Sequence, residues 1–251
     1  MPAATRFAAA AFALILGACA AEPPPAQVYA DVKTIGVISD IGDRVMLKTM
    51  GATALGSLEV IEPVDWGIDQ HVVGEVSRRL ADRFAVTPLT YDASAFDDIV
   101  RLGQPVPAAA IGERPRRPIE DILRTAVTPR GLDAYVVITR AASPYRGGRQ
   151  VVEGLGLVRS DGAAAPEAFA IYDITVVDGR KYTVIRRARA RQENDLVFPP
   201  IAGAHREVAA GDWAQSLAAA SEPQRRRLRE TLLALIDRSL GDTLRMLGLA
   251  Q

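Results

Sequence analysis

Short apolar segments rich in β-branched residues recur along the chain and predict the strands of a β-sheet. The most apolar is AYVVITR at 134–140, which has the length and composition of a buried strand. Several others alternate apolar and polar residues, as is typical of strands with one face in the core. The predicted strands span residues 32–39, 44–49, 57–61, 134–140, 151–158, 168–177 and 181–189. Residues 84–90 are a further extended segment, which Pro88 confines to an edge.

Two turn signals indicate how neighbouring strands connect. Asp40-Ile-Gly-Asp43 interrupts the first two strands and predicts a hairpin between them. Asp178-Gly179 is a two-residue hairpin signal ahead of the strand at 181–189. The second half of the chain is therefore expected to form an antiparallel meander.

Apolar residues at helical spacing predict two main helices. The first follows Asp65, the expected N-cap, and the last begins at a capping box formed by Ser221 and Gln224. Gly241 is expected to kink or divide the last helix, and a shorter helix is predicted at 119–127. The apolar stripes are Ile68, Val72, Val76, Leu80 and Phe84 in the first helix, and Leu228, Leu232, Leu235, Ile236, Leu240, Leu244 and Leu247 in the last.

These elements together predict the fold class. Residues 104–118 contain four prolines and are the one interior candidate for a domain boundary, but neither side has a self-contained core pattern. We therefore expect a single α+β domain, with helices packed on a mixed or antiparallel sheet and a long amphipathic helix at the C-terminus.

The N-terminus has the parts of a bacterial signal peptide. Arg6 provides a positive charge, and residues 7–21 contain none. This apolar stretch is shorter than the roughly 20 residues that a spanning helix needs. Leu16-Gly17-Ala18-Cys19 resembles the lipobox of bacterial lipoproteins, which consists of an aliphatic residue, two small residues and a cysteine.

The lipobox resemblance implies that the chain is cut before Cys19, whose thiol takes a diacylglyceryl group while the new amino terminus is acylated. Ala20 stands where inner-membrane retention usually has Asp, so the resemblance favours the outer membrane and its periplasmic face. The alternative is an ordinary secretory signal with an incidental cysteine. We expect a signal peptide at 1–18, a lipidated proline-rich tether at 19–31 and the periplasmic domain at 32–251.

Overall charge and cysteine content narrow the function classes. The chain has 30 basic and 30 acidic residues, so no basic excess points to nucleic acid. Its one cysteine cannot form an intramolecular disulfide or a thiolate metal site. No motif predicts a cofactor.

The segment Ile38-Ser-Asp-Ile-Gly-Asp43 is the candidate for catalytic chemistry. It resembles the opening of calcineurin-like metallophosphoesterases, in which an Asp and a His hold a metal, but Gly42 stands where that His would be. A hydrolase would use Asp40 or Asp43 with His71 or His205, and the competing interpretation is a polar hairpin turn. Asp69 is two residues from His71 on a predicted helix, so the two should point to different sides.

Two arginine groups could bind anionic lipid headgroups, peptidoglycan carboxylates or an acidic partner, or could form solvated faces. They are Arg187, Arg189 and Arg191 on one strand face, and Arg225, Arg226, Arg227 and Arg229 at the start of the last helix. Four positive charges oppose the dipole at a helix start, so acidic neighbours or a ligand are expected there.

The sequence favours a non-enzymatic envelope accessory, anchored in the membrane through Cys19, that binds an envelope protein or peptidoglycan. In organisation alone it resembles the lipoproteins that activate peptidoglycan synthases or assemble secretion pores. The alternatives are a periplasmic hydrolase and a protein that captures a small ligand in a deep apolar pocket.

Overall fold

The computed structural model describes residues 28–51, 56–96, 117–161, 165–191 and 200–250. The signal peptide, Cys19 and nearly all of the proline-rich segment at 104–118 lie outside these residues. Three α-helices occur in the described part: α1 (Ile68–Leu80), α2 (Ile119–Ala126) and α3 (Glu222–Leu247). The strands there are β1 (Thr34–Asp40), β2 (Arg44–Met50), β3 (Leu58–Pro63), β4 (Ala85–Thr87), β5 (Thr90–Tyr91), β6 (Val127–Thr128), β7 (Ala134–Arg140), β8 (Ala142–Pro144), β9 (Val151–Ser160), β10 (Glu167–Asp178), β11 (Val184–Arg189) and β12 (Ala204–Glu207).

Ten strands form one mixed sheet, and the fold is a single α+β domain as expected. The main path is β3-β2-β9-β10-β7-β1-β4, with β11 and β12 paired to β10 and β8 paired to β9. Strand β1 runs parallel to β4 and β7, and β2 runs parallel to β9. The other pairs in this sheet are antiparallel.

The expected hairpin between the first two strands is wrong. Strands β1 and β2 are separated in the sheet by β7, β10 and β9, so the turn at 40–43 is a crossover between two regions of the sheet. Six of the seven residues of β1 are buried, because packed elements cover both faces of the sheet at β1. An apolar pattern identifies such a strand but does not specify its neighbours.

The hairpin at Asp178 is confirmed, with a longer turn than predicted. Strand β11 pairs antiparallel with β10 but begins only at Val184. The Asp178 carboxylate accepts hydrogen bonds from the backbone amides of Arg180 and Lys181, at 2.9 and 2.7 Å. A side chain that binds two amides of the turn stabilises this wider loop.

The helices α1 and α3 follow their predicted apolar stripes. Helix α1 begins after Gly67, whose φ of 66° favours glycine, and not at the expected N-cap Asp65. Helix α3 begins at the predicted capping box, with Gln224 Oε1 accepting from the Ser221 amide at 2.8 Å. It continues through Gly241 without interruption, so the expected division is wrong.

The sheet has a core on each face. Helices α1 and α3 cover one face along its length and bury Val37, Val136, Tyr172 and Ile174. On the other face α2 covers Tyr135, Val137 and Val177, while Tyr145 and Ile201 cover Met46, Phe169 and Ile171. No helix in the described part of the chain is both long and apolar enough to cross a bilayer.

Strand β10 lies at the centre of the sheet, and each of its halves pairs with two other strands. Its first half, Glu167 to Ile171, pairs with β9 and β12, and its second half, from Tyr172 to Asp178, pairs with β7 and β11. Its 12 residues span about 40 Å. The end of the domain at Asp178, where the chain enters β1, is here called the entry end, and the end at Glu167 is called the distal end.

Candidate functional site

The predicted catalytic carboxylates surround one buried arginine. Strands β1 and β7 are parallel, so Asp40 and Arg140 lie at the same edge of the sheet. Arg140 Nη2 is 3.1 Å from Asp40 Oδ2, with both side chains under 5% exposed (2% and 4%), and Arg140 Nη1 bonds Asp43. Burial acts to raise the pKa of Asp43, but a hydrogen bond from Arg44 and the charge of Arg140 together lower it. Both carboxylates therefore stabilise the Arg140 guanidinium.

Asp69 holds the turn between β1 and β2. Its Oδ1 accepts hydrogen bonds from Ser39 Oγ at 2.6 Å and from the Ile41 amide at 2.9 Å, and both its oxygens accept from Gly42. A Cβ at position 42 would lie 2.6 Å from the Ile68 Cβ. Packing against α1 therefore explains why glycine stands at this position.

The two histidines bond elsewhere. His71 Nε2 lies 2.6 Å from Asp237 Oδ1 in α3, so Asp69 and His71 face different neighbours, as expected. His205 lies on β12, where its Nδ1–H donates to the carbonyl of Gly203 at 2.9 Å. In the described part of the chain, neither histidine forms a hydrogen bond with Asp40 or Asp43. Within the described ranges, no three His, Cys, Asp or Glu side chains form a group that could hold a metal.

Of the three arginines predicted on one strand face, Arg187 and Arg189 lie on β11, but Arg191 lies beyond its end, so that part of the prediction is wrong. Arg187 and Arg189 bond the two oxygens of the buried Asp173, at 2.7 and 2.5 Å. Arg191 Nη2 lies 3.2 Å from the thioether of Met246, beside a cavity of about 250 Å³. The first two arginines therefore have a structural role in neutralising a buried acid.

Three of the four arginines at the start of α3 have local partners, and two of these partners are the acidic neighbours that the helix dipole predicts. Arg225 bonds Glu222, Arg227 bonds Asp212 at 2.6 Å, and Arg229 donates to the Trp66 carbonyl. Arg226 is exposed and makes no hydrogen bond or ion pair to the described residues.

A charged groove of about 410 Å³ lies at the distal end, between β12 and the first turns of α3. Arg206 Nη2 reaches Thr231 Oγ1 at 2.9 Å across it. Glu207 and Glu230 line the groove and form no ion pair with the described residues. The full lining is Arg206, Glu207, Val208, Ala209, Asp212, Arg227, Glu230 and Thr231. The groove carries three acidic and two basic side chains.

The outer edge of β12 borders this groove. The Val208 amide donates to the Pro166 carbonyl at 2.9 Å, and Arg206 pairs with Ala168. Because neighbouring residues in an antiparallel strand alternate, the backbone groups of His205 and Glu207 point away from β10. They have no backbone partner among the described residues. The strand is therefore available to pair with another extended segment.

The sequence pattern does not predict β12, because AHRE lacks an alternation of apolar and polar residues. Only Ala204 is buried, and it packs in the core that α3 covers. The one local signal is Gly203 directly before the strand, which alone predicts a turn.

Comparison with known proteins finds no matching protein family and no curated protein that matches the sequence. Among the solved structures that match this chain is a Xanthomonas campestris protein of family DUF330. Its TM-score is 0.33, and the two sequences are 9% identical over 86% of this chain and 85% of that one. A hypothetical protein from Chlamydia trachomatis gives a TM-score of 0.27 and 12% identity over 83% of this chain and 99% of its own. Both likenesses are too distant to bear on function.

Proposed function

We propose that this chain is a lipid-anchored envelope accessory whose domain binds an extended, basic segment of an envelope protein in the distal groove. The lipobox at Leu16-Gly17-Ala18-Cys19 supports the anchor at the outer membrane, on its periplasmic face. The observation that carries the binding role is the open edge of β12 beside two glutamates without ion-pair partners.

The chemistry of the groove favours an extended and basic ligand. An edge strand binds a partner strand through backbone hydrogen bonds, and the side chains beside it supply specificity. Glu207 and Glu230 offer two carboxylates to lysine or arginine side chains of that partner. Arg227 is already paired with Asp212, so Glu207 and Glu230 face one remaining arginine, Arg206, and the groove keeps a net acidic charge.

The groove lies far from the point at which the chain enters the domain. Helix α3 has 26 residues and a length of about 39 Å, with its first turns at the groove and its C-cap Gly248 bonded to Arg83 at the entry end. A domain tethered at one end therefore presents the groove away from its attachment.

The same geometry gives less support to the hydrolase alternative. Asp40 and Asp43 both bond Arg140, while His71 bonds Asp237 on the outer surface of the helices. A candidate catalytic base needs to be within hydrogen-bond reach of its partner. The described hydrogen bonds supply no such pair.

The proposal is tested by placing a photo-crosslinking residue at the exposed Arg226 in the full chain, in native cells. We expect a crosslink to a lysine- or arginine-rich segment of one envelope protein. Glu207→Pro removes an outward N–H without touching the ladder to β10, so it should reduce the crosslink about tenfold. Glu207→Gln keeps that N–H and should have a smaller effect.

The same crosslinker at the exposed Asp82, at the entry end, is the matched control. An equal pattern of crosslinks from both positions, or no effect of Glu207→Pro, would contradict the groove as the binding site. Crosslinks from the groove to peptidoglycan fragments would overturn the protein partner in favour of a wall component.

A further inference from the structure

The entry end of the domain carries a group of exposed basic side chains. The side chain of Arg180, for example, is 72% exposed. They come from four separate stretches of sequence, and none belongs to the two arginine groups described above. The exposed basic residues are Lys33, Arg83, Arg130, Arg180 and Lys181.

Asp133 brings three of these stretches together. Its carboxylate accepts the backbone amides of Lys33 and Thr34, each at 3.0 Å, and Arg180 Nη2 at 2.6 Å. Its carbonyl accepts the Gly179 amide at 2.9 Å. The first strand, the start of β7 and the turn after β10 therefore share one end of the domain.

The acidic groups at this end are partly engaged by the fold. Asp133 binds backbone amides, and so does Asp178, which accepts from the amides of Arg180 and Lys181. With the exposed Asp31 and Asp82, four acidic groups therefore face five exposed cations, and Asp133 is paired with Arg180. Lys33, Arg130 and Lys181 form no ion pair with the described residues. Val184, 44% exposed, lies next to the basic turn and adds an apolar side chain to this surface.

We propose that the entry end rests on an anionic bilayer, with its basic side chains bound to lipid phosphates. This inference depends on the lipid anchor in the proposed function. Cys19 precedes Val28 by nine positions, so the chain between them reaches about 30 Å at most. The anchor keeps the entry end near the bilayer, where each Lys or Arg attracts anionic lipid.

The test uses the full lipidated protein in phosphatidylethanolamine vesicles with and without phosphatidylglycerol. Lipidation consumes the only native thiol, so Val184→Cys creates a single site for a fluorescent label. We expect quenching of this label by nitroxide lipids to increase with phosphatidylglycerol and to decrease at high salt. Lys181→Gln and Arg130→Gln should each reduce the bilayer-contacting population about fivefold.

A label at Glu230→Cys, in the groove, and the charge change Arg226→Gln are the matched controls, and neither should respond to phosphatidylglycerol. Equal quenching at both labels, or quenching without lipid-charge dependence, would overturn the proposed orientation. Vesicle flotation reports the anchor separately: a chain that does not float contradicts both the anchor and this inference. Groove crosslinking is a third, independent readout.

Discussion

Gly241 of α3 lies against the guanidinium of Arg79 in α1. A Cβ at position 241 would come within 2.6 Å of Arg79 Nη1. Arg79 is held there by Glu75 at 2.7 Å and by the Asp237 carbonyl at 3.4 Å. The glycine therefore provides space for an arginine between two helices and does not break the helix that contains it.

This contact predicts a coupling between positions 241 and 79. Gly241→Ala should gain about 1 kcal/mol of helix stability, offset by displacement of the Arg79 guanidinium, so its net effect should be small. In an Arg79→Ala background the full gain should appear. Urea unfolding of the four proteins measures the coupling, and equal effects of Gly241→Ala in both backgrounds would refute the steric explanation.

The buried ion pair of Asp40 and Arg140 predicts a stability defect. Asp40→Ala leaves the guanidinium buried with one partner fewer and should cost about 3–5 kcal/mol. Asp43→Ala should cost less, because the Asp43 side chain is 47% exposed. Chemical unfolding checks both values.

The same variants separate a structural role from a catalytic one. His71→Ala removes only a surface contact with Asp237 and should change stability by less than about 1 kcal/mol. In a complementation assay, loss of function with Asp43→Ala and His71→Ala in well-folded proteins would favour the hydrolase. Loss of function only in the variants that are also destabilised would favour the binding module.

The hydrogen bonds of Asp133 predict that the stability of the entry end falls in acid. Hydrogen bonds from the amides of Lys33 and Thr34 and from the side chain of Arg180 hold the pKa of Asp133 well below its usual range. A carboxylate with a lowered pKa stabilises the fold above the unfolded-state pKa, about 4, and this contribution is lost as pH falls below it. Asp133→Asn should therefore cost about 1–3 kcal/mol at neutral pH and almost nothing in strong acid. Parallel pH–stability curves for the two proteins would contradict this.

The capping box of α3 predicts a local effect. Ser221→Ala removes the hydroxyl that accepts from the Gln224 amide and should cost about 1 kcal/mol. Ser221→Asp preserves an acceptor and should recover most of it. Thermal unfolding checks both, and an unchanged midpoint for Ser221→Ala would show that the cap contributes nothing.

The sequence predicts the elements of this fold better than their arrangement. The stripe from Leu228 to Leu247 and the cap at Ser221 are local signals, and both appear in α3. The position of β1 in the sheet depends instead on its pairing with β7, about a hundred residues later in the chain. No local pattern encodes this pairing. The turn at 40–43 therefore has the local sequence of a hairpin but connects two strands that are not neighbours.

The candidate site likewise depends on contacts between residues that are distant in the sequence. Asp40 and Asp43 were identified as notable acids, but their role depends on Arg140, which reaches them only through the parallel pairing of β1 and β7. The groove beside β12 has no sequence motif, since it is formed by a four-residue strand and a distant helix.

The division of β10 between four neighbours has a consequence for how the chain acquires its fold during synthesis. Two of those neighbours, β7 and β9, precede β10, while β11 and β12 follow it, and α3 covers the sheet last. The nascent polypeptide therefore cannot complete the pairing of its central strand or cover the apolar face of the sheet until α3 has emerged. C-terminal truncations should consequently aggregate or be degraded and not persist as smaller folded fragments.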